Sequence, residues 1–152
     1  ETGRLLRPGT DRRILADLQA VEMLDLESVK IEVGKTLDDL AKILPKTRRN
    51  HFAVVDEQGI FQGMLDLSAL RAVIFDPLLR QMTPVDTAMD STVPRIRDTD
   101  SLLQAMEVFE EVGAWVLPVI DGDGRFLGTL SKSTLFDRYR RELIVQTSAR
   151  AE

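Results

Sequence analysis

The sequence predicts an α+β fold built from two copies of a β-α-β-β-α unit that are related by a pseudo-two-fold axis. The strongest observation is an internal repeat, because residues 25–70 align with residues 90–135 at a constant offset of 65 without an insertion. Within each copy, runs rich in β-branched residues alternate with helix-start signals. The chain of 152 residues is 43% hydrophobic, which is enough to bury a shared core. Two copies predict a pair rather than a long solenoid.

The first elements of each copy are a short strand and a helix. The extended segments are SVKIEV in the first copy and TVPRIR in the second. Capping-box patterns that begin at Thr36 and at Ser101 predict the helix starts. Pro45 should end the first helix early, because proline cannot continue the hydrogen-bond ladder. The second helix is expected to run further and to stop near Gly113.

A β-hairpin and a closing helix complete each copy. The strands FAVVD and VLPVID are rich in β-branched residues, and the strands FQGMLD and FLGTLS should pair back onto them. The turns DEQG and DGDG end in Gly59 and Gly124, which supply the positive φ that such turns need. The closing helices are expected to start near Asp66 and near Ser131.

The segments outside the repeats also have a predicted organisation. TDRRILADLQAVEML carries an apolar stripe at helical spacing, which predicts a leading helix. The connector holds Pro77 and Pro84 and should join the copies without a long flexible linker. The predicted division is residues 1–24 as leading helix and linker, 25–75 as the first repeat, 76–87 as the connector, 88–142 as the second repeat and 143–152 as the C-terminal tail.

Composition argues against several classes of function. A net charge of −5 gives no electrostatic support for a nucleic-acid partner. The absence of cysteine excludes a disulfide framework, a thiolate zinc site and a thiol nucleophile. With one histidine and no catalytic motif, we predict that the chain is not an enzyme. The DGDG turn lacks the later ligands of a calcium loop, so no metal site is predicted.

The motifs of both copies resemble the cystathionine-β-synthase (CBS) domain, and the tandem pair resembles a Bateman module. Each copy has an apolar strand that ends in Asp, a turn glycine, an apolar strand with a central glycine and a polar helix start. The resemblance covers residues from about 20 to 142. The flanking segments DRRILADL and LFDRYRRELIVQ also resemble the cytosolic end of ClC-type chloride channels and antiporters. The residues that carry the CBS motif are Asp56, Gly59, Gly63, Asp121, Gly124 and Gly128.

The resemblance implies two repeats packed through their sheets, with a cleft between them that often holds an adenine nucleotide. It also implies a homodimer formed through helices and a regulatory role on an attached protein. We therefore expect a cytosolic regulatory module at the cytoplasmic face of the cell membrane, attached to a transmembrane transport domain of ClC type. The alternatives are a ligand-free dimerisation scaffold, and a regulatory CBS pair of another transporter or of an enzyme.

The resemblance implies a nucleotide contact at a Ser or Thr just after the second hairpin strand, with an Asp three residues further on. The second copy has Ser131 and Thr134 at these positions, and the first copy has Asp66 and Ala69. Both ribose-binding carboxylates are therefore missing, and Asp66 places negative charge where a phosphate would lie. Asp66 and Ser131 are also good N-caps, which need no ligand to explain them.

The other candidate residues lie at the start of one predicted strand and on another predicted strand. Asn50 and His51 match positions where family members reach the nucleotide, and Arg97 lies on a strand that should face the cleft. A surface or half-buried histidine and an exposed arginine are the plain alternatives. The candidate ligands are ATP, ADP and AMP, and no cofactor is certain. The candidate nucleotide-binding residues are Asn50, His51, Arg97, Ser131, Lys132 and Thr134.

Two further features near these residues have ordinary explanations. Arg48 and Arg49 are interpreted as the solvated end of a loop. Trp115 is interpreted as core or interface packing, with stacking on an adenine ring as the alternative.

Overall fold

Each repeat folds into a three-stranded sheet covered by helices, in the order that the sequence predicts. The computed structural model describes residues 10–151, with side chains described at position 13 and over 15–145. Short 3₁₀ turns cover Ala20–Met23, Leu44–Lys46 and Leu67–Leu70. The elements are α1 (Thr10–Asp17), β1 (Val29–Glu32), α2 (Leu37–Ile43), β2 (His51–Val55), β3 (Phe61–Asp66), α3 (Arg71–Ile74), α4 (Pro77–Met82), α5 (Val85–Ala88), β4 (Ile96–Arg97), α6 (Leu102–Val112), β5 (Val116–Ile120), β6 (Phe126–Ser131) and α7 (Lys132–Ala151).

The two sheets have the same topology and the same irregularity. In the first, β1 pairs in parallel with β2, and β2 pairs antiparallel with β3. In the second, β4, β5 and β6 repeat this arrangement. The hairpin register shifts between Val54 and Val55 in the first sheet and between Val119 and Ile120 in the second, which are equivalent positions. The gapless sequence repeat is therefore a repeat of backbone geometry.

The helix boundaries follow the local signals in the sequence. The Thr36 hydroxyl accepts the N–H of Asp39, whose carboxylate accepts the N–H of Thr36. Ser101 and Gln104 form the same reciprocal capping box at the start of α6. Helix α6 ends at Gly113, where φ is +68° and a left-handed residue closes the helix.

A core lies under each sheet, and a third apolar cluster joins the two sheets. Phe52 and Leu65 are fully buried in the first repeat, as are Phe109 and Leu117 in the second. The joining cluster contains Ala53, Phe61 and Met64 of the first repeat, packed against Val93, Val116, Ile120 and Phe126 of the second. The shared core that the sequence predicts is therefore a seam between the faces of the two sheets.

The pseudo-two-fold axis passes between Ile60 and Arg125. These residues are equivalent in the repeat, and they form an antiparallel bridge with each other. The N–H of Phe61 donates to the carbonyl of Gly124 at 2.9 Å, and the N–H of Phe126 donates to the carbonyl of Gly59 at 3.0 Å. The rings of Phe61 and Phe126 stack with centroids 6.0 Å apart. The predicted α+β pair of pseudo-two-fold repeats packed through their sheets is confirmed.

The segment that leads into each repeat pairs with the sheet of the other repeat. Asp25 forms a bridge with Thr129 in β6, and Asp90 forms the equivalent bridge with Met64 in β3. The N–H of Asp90 donates to the carbonyl of Met64 at 2.8 Å, and the N–H of Met64 donates to the carbonyl of Asp90 at 3.0 Å. The repeats are therefore interlocked at both ends as well as packed at the seam.

Some elements differ from the prediction. The leading helix is interrupted, because the N–H of Ala20 donates to Asp100 and the carbonyl of Leu18 accepts from Leu102. Strand β4 keeps only two paired residues, following Pro94, which has no N–H to donate. The connector is largely helical in α4 and α5. Within the part of the chain that the structure describes, no helix has both the length and the apolar content that a bilayer crossing requires.

Candidate functional site

The hydroxyl of Ser131 lies at the start of α7, at the end of β6. It accepts a hydrogen bond from the N–H of Thr134 at 3.2 Å and donates to the Thr134 hydroxyl at 2.7 Å. Ser131 therefore caps a helix of 20 residues. A helix start of this kind favours negative charge nearby.

An aromatic ring and a cation lie beside this helix start. The backbone N–H of Lys132 donates to the carbonyl of Trp115 at 2.9 Å. The Lys132 ammonium lies over the indole ring, 5.2 Å from its centroid, which is within cation–π range. The Trp115 side chain is 70% exposed. Core packing does not explain this residue, and its exposed ring, the ammonium and the Ser131 hydroxyl form one surface, which we call the second-repeat site.

The equivalent place in the first repeat has different chemistry. The carboxylate of Asp66 accepts the N–H of Ser68 at 3.0 Å and lies 4.0 Å from Nε2 of His51. The carbonyl of Asn50 accepts the N–H of Leu67 at 2.9 Å. Asn50 and His51 therefore lie beside Asp66, as the strand register requires. The carboxylate caps the following turn and opposes a phosphate at this position.

The structure separates Arg97 from Ser131. Arg97 pairs with Ile120 at one end of β5, and Ser131 pairs with Val116 at the other end. Four residues of extended chain span about 13 Å. The Arg97 side chain is exposed, and the backbone N–H of Arg97 donates to the carboxylate of Asp100 at 2.9 Å.

Arg49 has a specific partner that local sequence reasoning missed. Its guanidinium makes two hydrogen bonds to the carboxylate of Asp25, one of 2.9 Å from Nη2 to Oδ1 and the other from Nε to Oδ2. The hydrogen bond from Arg49 lowers the pKa of Asp25 despite partial burial, which acts in the opposite direction. The available signal was a difference between the copies, because Ala114 occupies the position equivalent to Arg49.

The Arg49–Asp25 pair connects the two repeats close to the candidate residues. The N–H of Asp25 donates to the carbonyl of Thr129 at 2.9 Å, and the N–H of Thr129 donates to the hydroxyl of Ser28 at 2.8 Å. Thr129 lies two residues before Ser131 in β6. The loop that leads into β2 is therefore tied to the strand that presents the second-repeat site.

Comparison with known proteins places this geometry in a known fold. The family model of the CBS domain matches residues 85–141. The carnitine transport ATP-binding protein OpuCA of Listeria monocytogenes is 24% identical over 132 residues, which cover 85% of this chain and 32% of the relative. The chain thus spans about a third of the length of that relative.

Two solved structures share the fold. A CBS domain-containing protein of unknown function from Bacillus anthracis superposes with a TM-score of 0.75 at 14% identity, over 86% of this chain and 98% of that one. The cytosolic domain of the Mg²⁺ channel MgtE in complex with ATP superposes with a TM-score of 0.69 at 25% identity, over 84% and 51% of the two chains. The chain therefore has the fold of a tandem CBS-domain pair, and its second repeat matches the CBS family model.

Proposed function

We propose that this CBS pair is a regulatory module of a membrane transport protein and that it binds an adenine nucleotide at the second-repeat site. The observation that carries the proposal is the grouping of a helix-start hydroxyl, an ammonium and an exposed indole at Ser131, Lys132 and Trp115. In the first repeat the equivalent positions hold Asp66, Leu67 and Asn50, which provide neither a cation nor an aromatic ring.

Each group has a distinct role in the proposed complex. The Ser131 hydroxyl and the Lys132 ammonium bind phosphate at the start of α7, where the helix dipole favours an anion. The exposed face of Trp115 stacks on the adenine ring. Thr134 stands where the CBS motif has an aspartate, so its hydroxyl replaces a carboxylate toward the ribose and lowers the affinity. Asn50, His51 and Arg97 lie elsewhere in the fold, and their nucleotide contacts stay a prediction.

The relatives support a transporter as the attached protein. OpuCA is named as the ATP-binding protein of a carnitine transport system, and the MgtE cytosolic domain was solved with ATP. We propose a module on the cytoplasmic side of the membrane, joined to a transmembrane transport domain. The flanking segments favour a ClC-type chloride transporter, whereas the relatives favour a transporter of another class. Bound nucleotide shifts the arrangement of the two repeats only by its differential affinity for two arrangements.

Titration calorimetry with ATP, ADP and AMP tests the nucleotide site. We expect saturable binding of at least one nucleotide and a loss of roughly tenfold or more in Ser131→Asp, because the new carboxylate repels phosphate. Aspartate is also a good N-cap, so α7 and the melting temperature should be preserved. The matched control is Ser68→Asp, which adds the same charge at the first-repeat turn and should leave the affinity unchanged.

Two outcomes would contradict the nucleotide site. The absence of binding by all three nucleotides would leave the dimerisation scaffold as the better function. Equal affinity in Ser131→Asp and in the unmodified protein would place any bound nucleotide at another surface.

We also propose that the protein forms a homodimer through the helices that follow the first sheet. Four apolar side chains of this segment are exposed, which is unusual for a surface that stays in water. They lie on or beside α4, which is only six residues long and has no buried residue. The exposed fractions are 75% for Phe75, 65% for Leu78, 45% for Leu79 and 70% for Met82.

Light scattering coupled to gel filtration tests the dimer. We expect a dimeric mass for the unmodified protein and a monomeric mass for Leu78→Glu, because a buried unpaired carboxylate would oppose association. Gln81→Glu is the matched control, since it adds the same charge to an exposed position of the same helix and should stay dimeric. A monomeric mass for the unmodified protein at every concentration would refute the interface.

A further inference from the structure

The carboxyl ends of β1 and β2 border a cavity, which lies at the opposite end of the first sheet from Asn50 and Asp66. Its volume is about 500 Å³, within the usual range for small-molecule sites. Its apolar lining includes Ile31, Ile43 and Val55. Two of these side chains, Ile31 and Val55, are 6% and 3% exposed, so they form a fixed floor.

The wall of this cavity is preformed by backbone hydrogen bonds. The N–H of Val33 donates to the carbonyl of Val55 at 2.9 Å, and the carbonyl of Lys35 accepts the N–H of Val85 at 2.9 Å. The β2–β3 turn is closed by the N–H of Gly59, which donates to the carbonyl of Asp56 at 3.0 Å. A ligand would therefore bind without a large cost for ordering the loops.

The cavity lining includes two ammonium groups and two carboxylates that are open to a ligand. Lys30 and Lys35 supply ammonium groups, and Glu32 and Glu57 supply carboxylates. None of the four is engaged in an ion pair among the described residues, and all four are exposed. Lys35 acts at longer range on Asp39, whose pKa is lowered mainly by the N–H of Thr36 and to a smaller extent by Lys35.

The remaining carboxylate of the lining is already used by the fold. Oδ1 of Asp56 accepts the N–H groups of Gln58 and Ile60, each at 2.9 Å. Asp56 therefore stabilises the turn and is not assigned a role in binding a ligand. The two open ammonium groups and the two open carboxylates together have a net charge of zero. This balance disfavours a polyanion such as ATP and favours a molecule with one positive and one negative group.

The second repeat uses the equivalent groups internally. Arg95 is equivalent to Lys30, and its guanidinium donates to the carbonyls of Ser91 and Val93 and lies over the ring of Phe61. Asp100 is equivalent to Lys35, so the second cation is replaced by a carboxylate. The open charge pattern therefore belongs to the first repeat alone.

We propose that this cavity binds a small zwitterion with a short apolar side chain, such as a free aliphatic amino acid. Its carboxylate binds the ammonium groups of Lys30 and Lys35. Its ammonium binds the carboxylates of Glu32 and Glu57. Its side chain packs on the apolar floor. This site is independent of the proposed nucleotide site, because the two lie in different repeats.

Amide-resolved NMR titration of the whole chain tests the proposal, with L-leucine, isocaproate and isoamylamine as probes. We expect L-leucine to shift the amides of Lys35 and Gly59 in a saturable way. Isocaproate lacks the ammonium and isoamylamine lacks the carboxylate, so each should bind roughly tenfold more weakly. Lys35→Met and Glu32→Gln should weaken L-leucine by a similar factor, whereas Lys46→Met, an exposed lysine outside the cavity, should not.

Three results would overturn the proposal. The first is no saturable shift at these amides with L-leucine. The second is equal affinity for isocaproate and L-leucine, which would remove the role of the carboxylates. The third is unchanged L-leucine affinity in Lys35→Met while that protein keeps its native spectrum.

Discussion

Replacing Phe61 with alanine is expected to lower the free energy of unfolding by about 3 kcal/mol. The ring is 5% exposed and lies in the seam between the two sheets. It stacks on Phe126 with centroids 6.0 Å apart, and the guanidinium of Arg95 lies over the Phe61 ring, 4.8 Å from its centroid. The substitution removes contacts to both partners and opens a cavity where the repeats meet. Urea unfolding followed by circular dichroism measures the change.

A double-mutant cycle with Phe126→Ala separates the seam from general loss of core volume. If the rings interact across the pseudo-two-fold axis, the two substitutions should be coupled by about 0.5–1.5 kcal/mol. Strict additivity would mean that the rings do not pack together in solution. That result would contradict the seam even if each single variant were destabilised.

Replacing Gly63 with alanine is expected to lower the free energy of unfolding by about 2–3 kcal/mol. A Cβ at this position would lie 2.9 Å from the carbonyl oxygen of Asp90 and 2.8 Å from the sulfur of Met89. The methionine side chain can move. The carbonyl cannot move without cost, because Asp90 exchanges two backbone hydrogen bonds with Met64. The substitution therefore pushes the segment around Asp90, which belongs to the second repeat, away from the first sheet.

Gly122→Ala is the control for this prediction, since a Cβ there meets no atom within 4 Å. We expect its free energy of unfolding to stay within about 0.5 kcal/mol of the unmodified protein. If Gly63→Ala were as stable as Gly122→Ala, the close crossing at Asp90 would be absent, and the interlocking of the repeats would have to be abandoned.

The sequence predicts the elements of the fold well because their signals are local. The two capping boxes, the proline that shortens α2 and the glycine that ends α6 act within a few residues of the boundary they set. The repeat then supplies the one long-range fact, since equivalent residues near a two-fold axis must meet each other. Ile60 and Arg125 do so in the structure.

The deviations arise where long-range backbone contacts override local pattern. The apolar stripe of the leading segment predicts one helix, but hydrogen bonds from Ala20 to Asp100 and from Leu102 to Leu18 break it. Val21 belongs to that stripe and is 39% exposed as a result. Ile14 also belongs to it, and its side chain lies outside the described residues. No pattern within the leading segment encodes its partners in the second repeat.

The candidate site is predicted in part. The motif places Ser131 and Thr134 at a helix start, and the structure joins their hydroxyls as a cap. The proximity of Trp115 to Lys132 follows from the hairpin register, which the sequence sets only approximately. The separation of Arg97 from Ser131 depends on the direction in which β4 pairs with β5. Strand direction is a property of the assembled sheet rather than of either segment.

The central claim is that the two repeats pack face to face about an axis between Ile60 and Arg125. These residues form a pair without mutual hydrogen bonds, whose Cα atoms are about 4.5 Å apart, close enough for a disulfide. Because the chain has no cysteine, the double variant Ile60→Cys/Arg125→Cys reports this contact alone. Ile60→Cys/Ser133→Cys serves as the control with a distant second thiol.

The measurement is mass spectrometry of the double variant after mild oxidation, with and without reductant. We predict an intramolecular disulfide in nearly every chain of Ile60→Cys/Arg125→Cys, a higher melting temperature and free thiols in the control. Free thiols in both variants, or cross-links only between chains, would contradict the packing of the two repeats.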